Sequence, residues 1–184
     1  MATERLIVLD TTLRDGCHCL DAPLPPGDRL AIARELALLG VDVIEAGYPA
    51  GPAGDMESIA AIAAEVTKPS IAALAAARPA EIDAAARALE KAARPRIHVF
   101  LPTGSARRER NLQEARAALV RQTRETVARA RRLVDDVEFS PFDATRTEEG
   151  LLAELLTAAI EEGAKTVNIS DTLGCSACPR NSAF

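Results

Sequence analysis

Six short apolar runs punctuate this chain: "RLIVLD" (5–10), "DVIEAG" (42–47), "SIAALA" (70–75), "RIHVFL" (96–101), "DVEFS" (136–140) and "TVNIS" (166–170). Continuous apolar runs of this length, several rich in Val and Ile, suit strands buried on both faces of a parallel sheet. A helical pattern separates each run from the next, and the regular strand–helix alternation predicts a parallel α/β fold. Two architectures fit: a doubly wound open sheet, or a (β/α)8 barrel. A barrel of that kind has eight units and about 250 residues. This chain has 184 residues and about six strands, enough for a single sizeable core.

The helices carry local signals of their own. Asp28 is predicted to cap "RLAIARELALLG", with Gly40 at its end and Leu30, Ala33, Leu36 and Ala37 as its apolar stripe. "DMESIAAIAAEV" begins at Asp55, with Glu57 in its first turn, and "PAEIDAAARALEKAA" opens on Pro79. The longest helical run covers about 112–134, and the last ends at Gly163.

The formal charge is −5, which argues against non-specific nucleic-acid binding. The arginines at 107, 108, 110, 116, 121, 124, 129, 131 and 132 are interleaved with Glu109, Glu114 and Glu125, the pattern of a solvated helix face. No apolar run approaches the ~20 residues of a membrane helix. "MATERLIVLD" lacks the marks of a secretory signal, so Cys17, Cys19, Cys175 and Cys178 are expected as thiols in the cytoplasm.

In parallel α/β folds chemistry sits beyond the C-terminal ends of the strands, and polar residues gather there. The first strand delivers Asp10, Thr11, Arg14 and Asp15. The second carries Glu45, then Gly47, Tyr48 and Pro49. The fourth carries His98 and then Thr103. The fifth carries Glu138 and Ser140, then Asp143 and Arg146. The sixth carries Asn168, Ser170, Asp171 and Thr172. Strand alternation places Glu45, His98 and Glu138 on one face. A buried acid or His needs a partner, so such convergence predicts a polar pocket. Asp15 is a hard oxygen ligand for a divalent cation. Arg14 offers fixed donors to an oxyanion, and Glu45 or Glu138 can act as base or orienting group.

Five blocks, "LDTTLRDG", "GVDVIEAGYP", "RPRIHVF", "DVEFSPFDATRT" and "TVNISDTLG", resemble in order and spacing the 2-isopropylmalate synthase branch of the pyruvate-carboxyltransferase-like (DRE-TIM metallolyase) superfamily. The resemblance covers 5–174. It implies an incomplete TIM (β/α)8 barrel over 1–174 and a non-family tail over 175–184. It also implies Claisen-type condensation of an acyl-CoA with a 2-oxo acid, in leucine biosynthesis. By the same resemblance Asp15 binds a divalent metal (Mg2+, Mn2+ or Zn2+) and Arg14 steadies the enolate or oxyanion. His98, Thr172 and Glu45 face substrate, and Glu138 belongs to the active site. Homocitrate and citramalate synthases share most of these blocks.

The sequence also departs from that pattern. After "RDG" the family reads "EQ", where this chain has Cys17-His18-Cys19-Leu20, and Phe142 stands where an acid is common. The family's metal is also held by a His-x-His pair, but only His18 and His98 occur here, so metal binding is expected to be weak or absent. The end "CSACPRNSAF" predicts a truncated or frameshifted copy of a longer synthase, inactive alone, with its first and last strands as open edges prone to association. Two further readings belong to another class: a zinc site built from Cys17, Cys19, Cys175 and Cys178, or a half-barrel completed by a partner chain.

Overall fold

The computed structural model describes residues 5–19, 24–51, 55–103 and 112–171, with the side chains of 18, 19 and 112 left undescribed. Among these residues six strands lie in one sheet in the order β1-β2-β3-β4-β5-β6. They are β1 (Leu9–Asp10), β2 (Val43–Gly47), β3 (Ser70–Ala76), β4 (Pro95–Pro102), β5 (Asp136–Phe142) and β6 (Thr166–Val167). Helices α1 (Pro26–Leu39), α2 (Met56–Glu65), α3 (Pro79–Ala88), α4 (Leu112–Arg131) and α5 (Glu149–Glu161) connect them. The fold is therefore the α/β alternation of an incomplete (β/α)8 barrel. The chain divides into two compact units, Met1–Ala75 with Ala80–Ile97, and Ala76–Pro79 with His98–Phe184.

In the first unit, β1 pairs with β2 in parallel through Leu9↔Val43 and Asp10↔Ile44. Strand β2 pairs in parallel with β3, with an irregularity between Glu45 and Gly47. All five residues of β2 are buried, as expected of a strand covered on both faces. Ile44, Ile59, Ile62 and Ile71 form the fully buried centre.

Three local expectations are corrected here. The first strand spans Leu9–Asp10 rather than 5–10. Residues 5–8 are exposed, with Leu6, Ile7 and Val8 at 84, 61 and 46%, beside a strand that has a ladder on one side only among the described residues. Asp28 does not cap α1. The helix starts at Pro26, one turn earlier, because a proline in the first turn is already set to helical φ. Of its predicted stripe, Ala33 is buried while Leu30, Leu36 and Ala37 are half-buried. Gly40 ends α1 at φ 90°, where a side chain would be strained.

In the second unit, β5 and β6 pair in parallel through Glu138↔Thr166 and Phe139↔Val167. Val99, Val127, Val137, Phe139 and Leu155 are fully buried. The sixth strand is Thr166–Val167, shorter than the predicted 166–170. Two arginines of α4 do not face solvent alone. Arg116 pairs with Glu148 and Glu154, and Arg124 with Glu161 and Glu162, all on or beside α5.

Candidate functional site

Polar side chains gather in both units, and one such group grows out of the turn after β1. The amides of Arg14, Asp15 and Gly16 all donate to the carbonyl of Thr11. The Asp10 carboxylate accepts from the Thr12 amide at 2.9 Å and from its hydroxyl at 3.1 Å. Asp10 and Thr12 are thus engaged in shaping the turn, a local use typical of Asp and Thr at such positions. Leu13, fully buried, anchors the turn.

Arg14 then projects between two carboxylates. Its Nε donates to Glu45 Oε2 at 2.6 Å and its Nη1 to Asp15 Oδ1 at 2.8 Å. Glu45 is fully buried and the Asp15 side chain is 65% exposed. Among the described residues Arg14 Nη2 makes no hydrogen bond, and the side chain keeps 21% exposure. This is a guanidinium held at two positions by carboxylates, a geometry suited to orienting its remaining N–H groups.

Beneath it lies a network that the sequence reading did not single out. Arg29 of α1 is buried and donates from Nη1 to Asp55 and from Nη2 to the carbonyls of Leu13 and Ala46. Asp55 accepts in turn from the Tyr48 amide. The Tyr48 hydroxyl donates to Glu81. The available signal was the spacing of Arg29, four residues before Ala33 and so on the apolar stripe of α1.

In the second unit His98 of β4 and Glu138 of β5 are 4 and 1% exposed. His98 Nε2 lies 3.6 Å from Glu138 Oε1, and the same oxygen accepts from Asn168 Nδ2 at 3.1 Å. The Ser140 hydroxyl lies 2.9 Å from that of Ser170 and donates to the Asn168 carbonyl at 3.2 Å. Asn168 was thus visible as a strand-end polar residue, but its partnership with Glu138 was not. It depends on the β5–β6 register. After β5 the chain turns at Asp143 in the left-handed region, φ 67°. The Asp143 carboxylate accepts two hydrogen bonds from Arg146 Nε and raises that guanidinium further above its ordinary value, first by hydrogen bonding and then by its charge. Thr103 and Thr147 meet hydroxyl to hydroxyl at 2.6 Å.

The six predicted site residues therefore divide. Arg14, Asp15 and Glu45 meet in the first unit, and His98 and Glu138 meet in the second. Thr172 lies outside the described residues, as do Cys175, Cys178 and the tail. A metal on Asp15 finds little support in the arrangement. Asp15 is exposed and already paired, and among the described residues no three His, Cys, Asp or Glu side chains gather to hold an ion. These residues do not fit a complete metal site. Among them, no helix is long and apolar enough to cross a membrane.

Comparison with known proteins agrees with the motifs. The 2-isopropylmalate synthase of Methylacidiphilum infernorum is 50% identical over 175 residues, covering 95% of this chain and 35% of that protein. That of Xanthomonas axonopodis pv. citri is 45% identical over 172 residues, covering 94 and 33%. The chain thus spans about a third of the length of these relatives. Among solved structures, the Bacillus subtilis HMG-CoA lyase superposes with a TM-score of 0.65 at 19% identity, covering 95% of this chain and 61% of the lyase. The carboxyl transferase domain of Rhizobium etli pyruvate carboxylase gives 0.58 at 19% identity, covering 88 and 26%. At that identity both show the fold alone. With residues 5–182 matching the HMGL-like family model, the chain belongs to the HMGL-like family.

Proposed function

We propose that this chain carries part of a 2-isopropylmalate synthase-type condensing domain, acting on an acyl-CoA (acetyl-CoA) and a 2-oxo acid (2-oxoisovalerate). The observation that carries this reading is Arg14, clamped by Glu45 and Asp15 with Nη2 not engaged among the described residues.

In the reaction the acetyl methyl group loses a proton to a base and the resulting enolate attacks C2 of the 2-oxo acid. The alkoxide that forms takes up a proton. Water then cleaves the thioester and releases CoA. Negative charge develops first on the thioester oxygen, and a pre-oriented guanidinium edge stabilises such charge without reorganising. Glu45 and Asp15 hold that edge in place. His98 is assigned to an oxygen of the 2-oxo acid by motif alone. Glu138, held by Asn168 and beside His98, moves or orients the proton. Thr172 is assigned to the substrate carboxylate and Asp15 to a metal by motif alone. No step here runs through a metal. The corresponding setting is leucine biosynthesis in the cytoplasm. A 2-oxo acid with a longer or shorter side chain corresponds to homocitrate or citramalate synthesis instead.

Titration of the chain with 2-oxoisovalerate, pyruvate and 2-oxoglutarate, followed by amide chemical shifts, tests the reading. A saturable response is expected, strongest for 2-oxoisovalerate. It should weaken about tenfold in His98→Ala, the loss of one hydrogen bond to a charged ligand. If none of the three acids binds, the reading fails; if one of the other two binds best, the substrate assignment changes.

A further inference from the structure

We propose that Arg29 is a positioning residue for the Arg14–Glu45 pair, a latch on α1 that sets the spacing between the segment after β1 and the end of β2. The inference rests on the function proposed above for Arg14. It concerns how this chain builds that geometry.

The connections are short in sequence and in space. Arg29 Nη2 donates to the carbonyl of Leu13 at 2.7 Å and to that of Ala46 at 2.8 Å. Leu13 immediately precedes Arg14, and Ala46 immediately follows Glu45. One nitrogen therefore joins the two backbone segments that carry the 2.6 Å contact between Arg14 and Glu45. Arg29 Nη1 is held at 2.7 Å by Asp55, which also accepts from the Tyr48 amide at 2.9 Å, so the far end of β2 is tied to the same group. The site is closely packed. A Cβ on Gly47 would lie 2.7 Å from Asp55 Oδ2 and 2.9 Å from Arg29 Nη2.

Stability alone is a poor reason for this arrangement. Replacing a buried ion pair with apolar residues of similar volume is often neutral or stabilising. What an apolar residue cannot do is bind two carbonyls, one in the turn after β1 and one in β2, at a set distance. The planar fork of arginine does this with little freedom left to lose.

The side-chain Nε–H resonance of Arg14 reads the geometry directly. In the unaltered chain it is expected as a resolved, slowly exchanging signal, assigned by its disappearance in Arg14→Lys. In Arg29→Met it should move to the position of exposed arginines and exchange at least tenfold faster. Arg29→Lys should restore part of the shift, because an ammonium still reaches Asp55. An Arg29→Met chain that folds with the Arg14 signal unmoved overturns the proposal, even if its melting temperature falls. Should Arg29→Met fail to fold, Asp55→Asn takes its place. It preserves the packing and removes the ion pair. A displaced Arg14 signal supports the latch, and an unmoved one overturns it. No substrate is present in these measurements, so they are independent of whether any 2-oxo acid binds.

Discussion

Glu45 is a carboxylate with no exposure, and Arg14 Nε sits 2.6 Å from it. Removing one partner of a buried pair is strongly destabilising. Arg14→Met is expected to cost about 3 kcal/mol, the low end of the range for buried pairs, since Arg14 keeps some solvent contact. Glu45→Gln in the same chain should recover most of that loss. A double-mutant cycle by urea unfolding measures the coupling, and additive effects would show that the two side chains act separately. Gly47 makes a second prediction at this scale. Gly47→Ala forces a Cβ against Asp55 and Arg29, so a destabilisation of about 1–3 kcal/mol is expected, as for overpacking elsewhere. Thermal unfolding of the variant checks it.

At the scale of the element, α5 is started by an acid. Glu148 precedes the helix and accepts from the amides of Gly150 and Leu151 at 2.9 and 3.0 Å. These two amides, and secondarily Arg116, hold its carboxyl below the usual range. A lowered folded-state value means stabilisation that is present above the ordinary carboxylate pKa, about 4, and is lost as pH falls through the lowered value. Urea midpoints measured between pH 7 and pH 3 should therefore decline more steeply for the parent than for Glu148→Gln. Equal slopes would remove Glu148 from the acid response. The bridges from α4 to α5 behave differently. Arg116 and Arg124 are exposed enough that salt should screen them.

For the molecule as a whole, the sheet order leaves β1 and β6 each with one neighbour among the described residues. Beside them lie exposed Leu6, Ile7, Val8 and Ile169. Unpaired edges with apolar flanks recruit other chains. Light scattering is expected to show association that grows with concentration and weakens in Ile7→Lys. A chain that stays monomeric at high concentration would count against this.

Short-range physics explains what was legible from the residues in order. The apolar runs of β2 to β5, the left-handed Gly40 and the placement of Glu45, His98 and Glu138 within β2, β4 and β5 all follow from periodicity and local dihedral preference, which act over a few residues. The family motifs were legible for the same reason, as contiguous blocks. The partners were not. Arg29 meets Leu13, Ala46 and Asp55 across 16, 17 and 26 positions, and Asn168 meets Glu138 across 30. Arg116 passes over the acids of its own helix to reach Glu148 and Glu154. Such contacts exist only once strand register and helix docking bring distant segments together, so an arginine or an asparagine read in isolation carries no sign of the carbonyl or carboxylate it will bind.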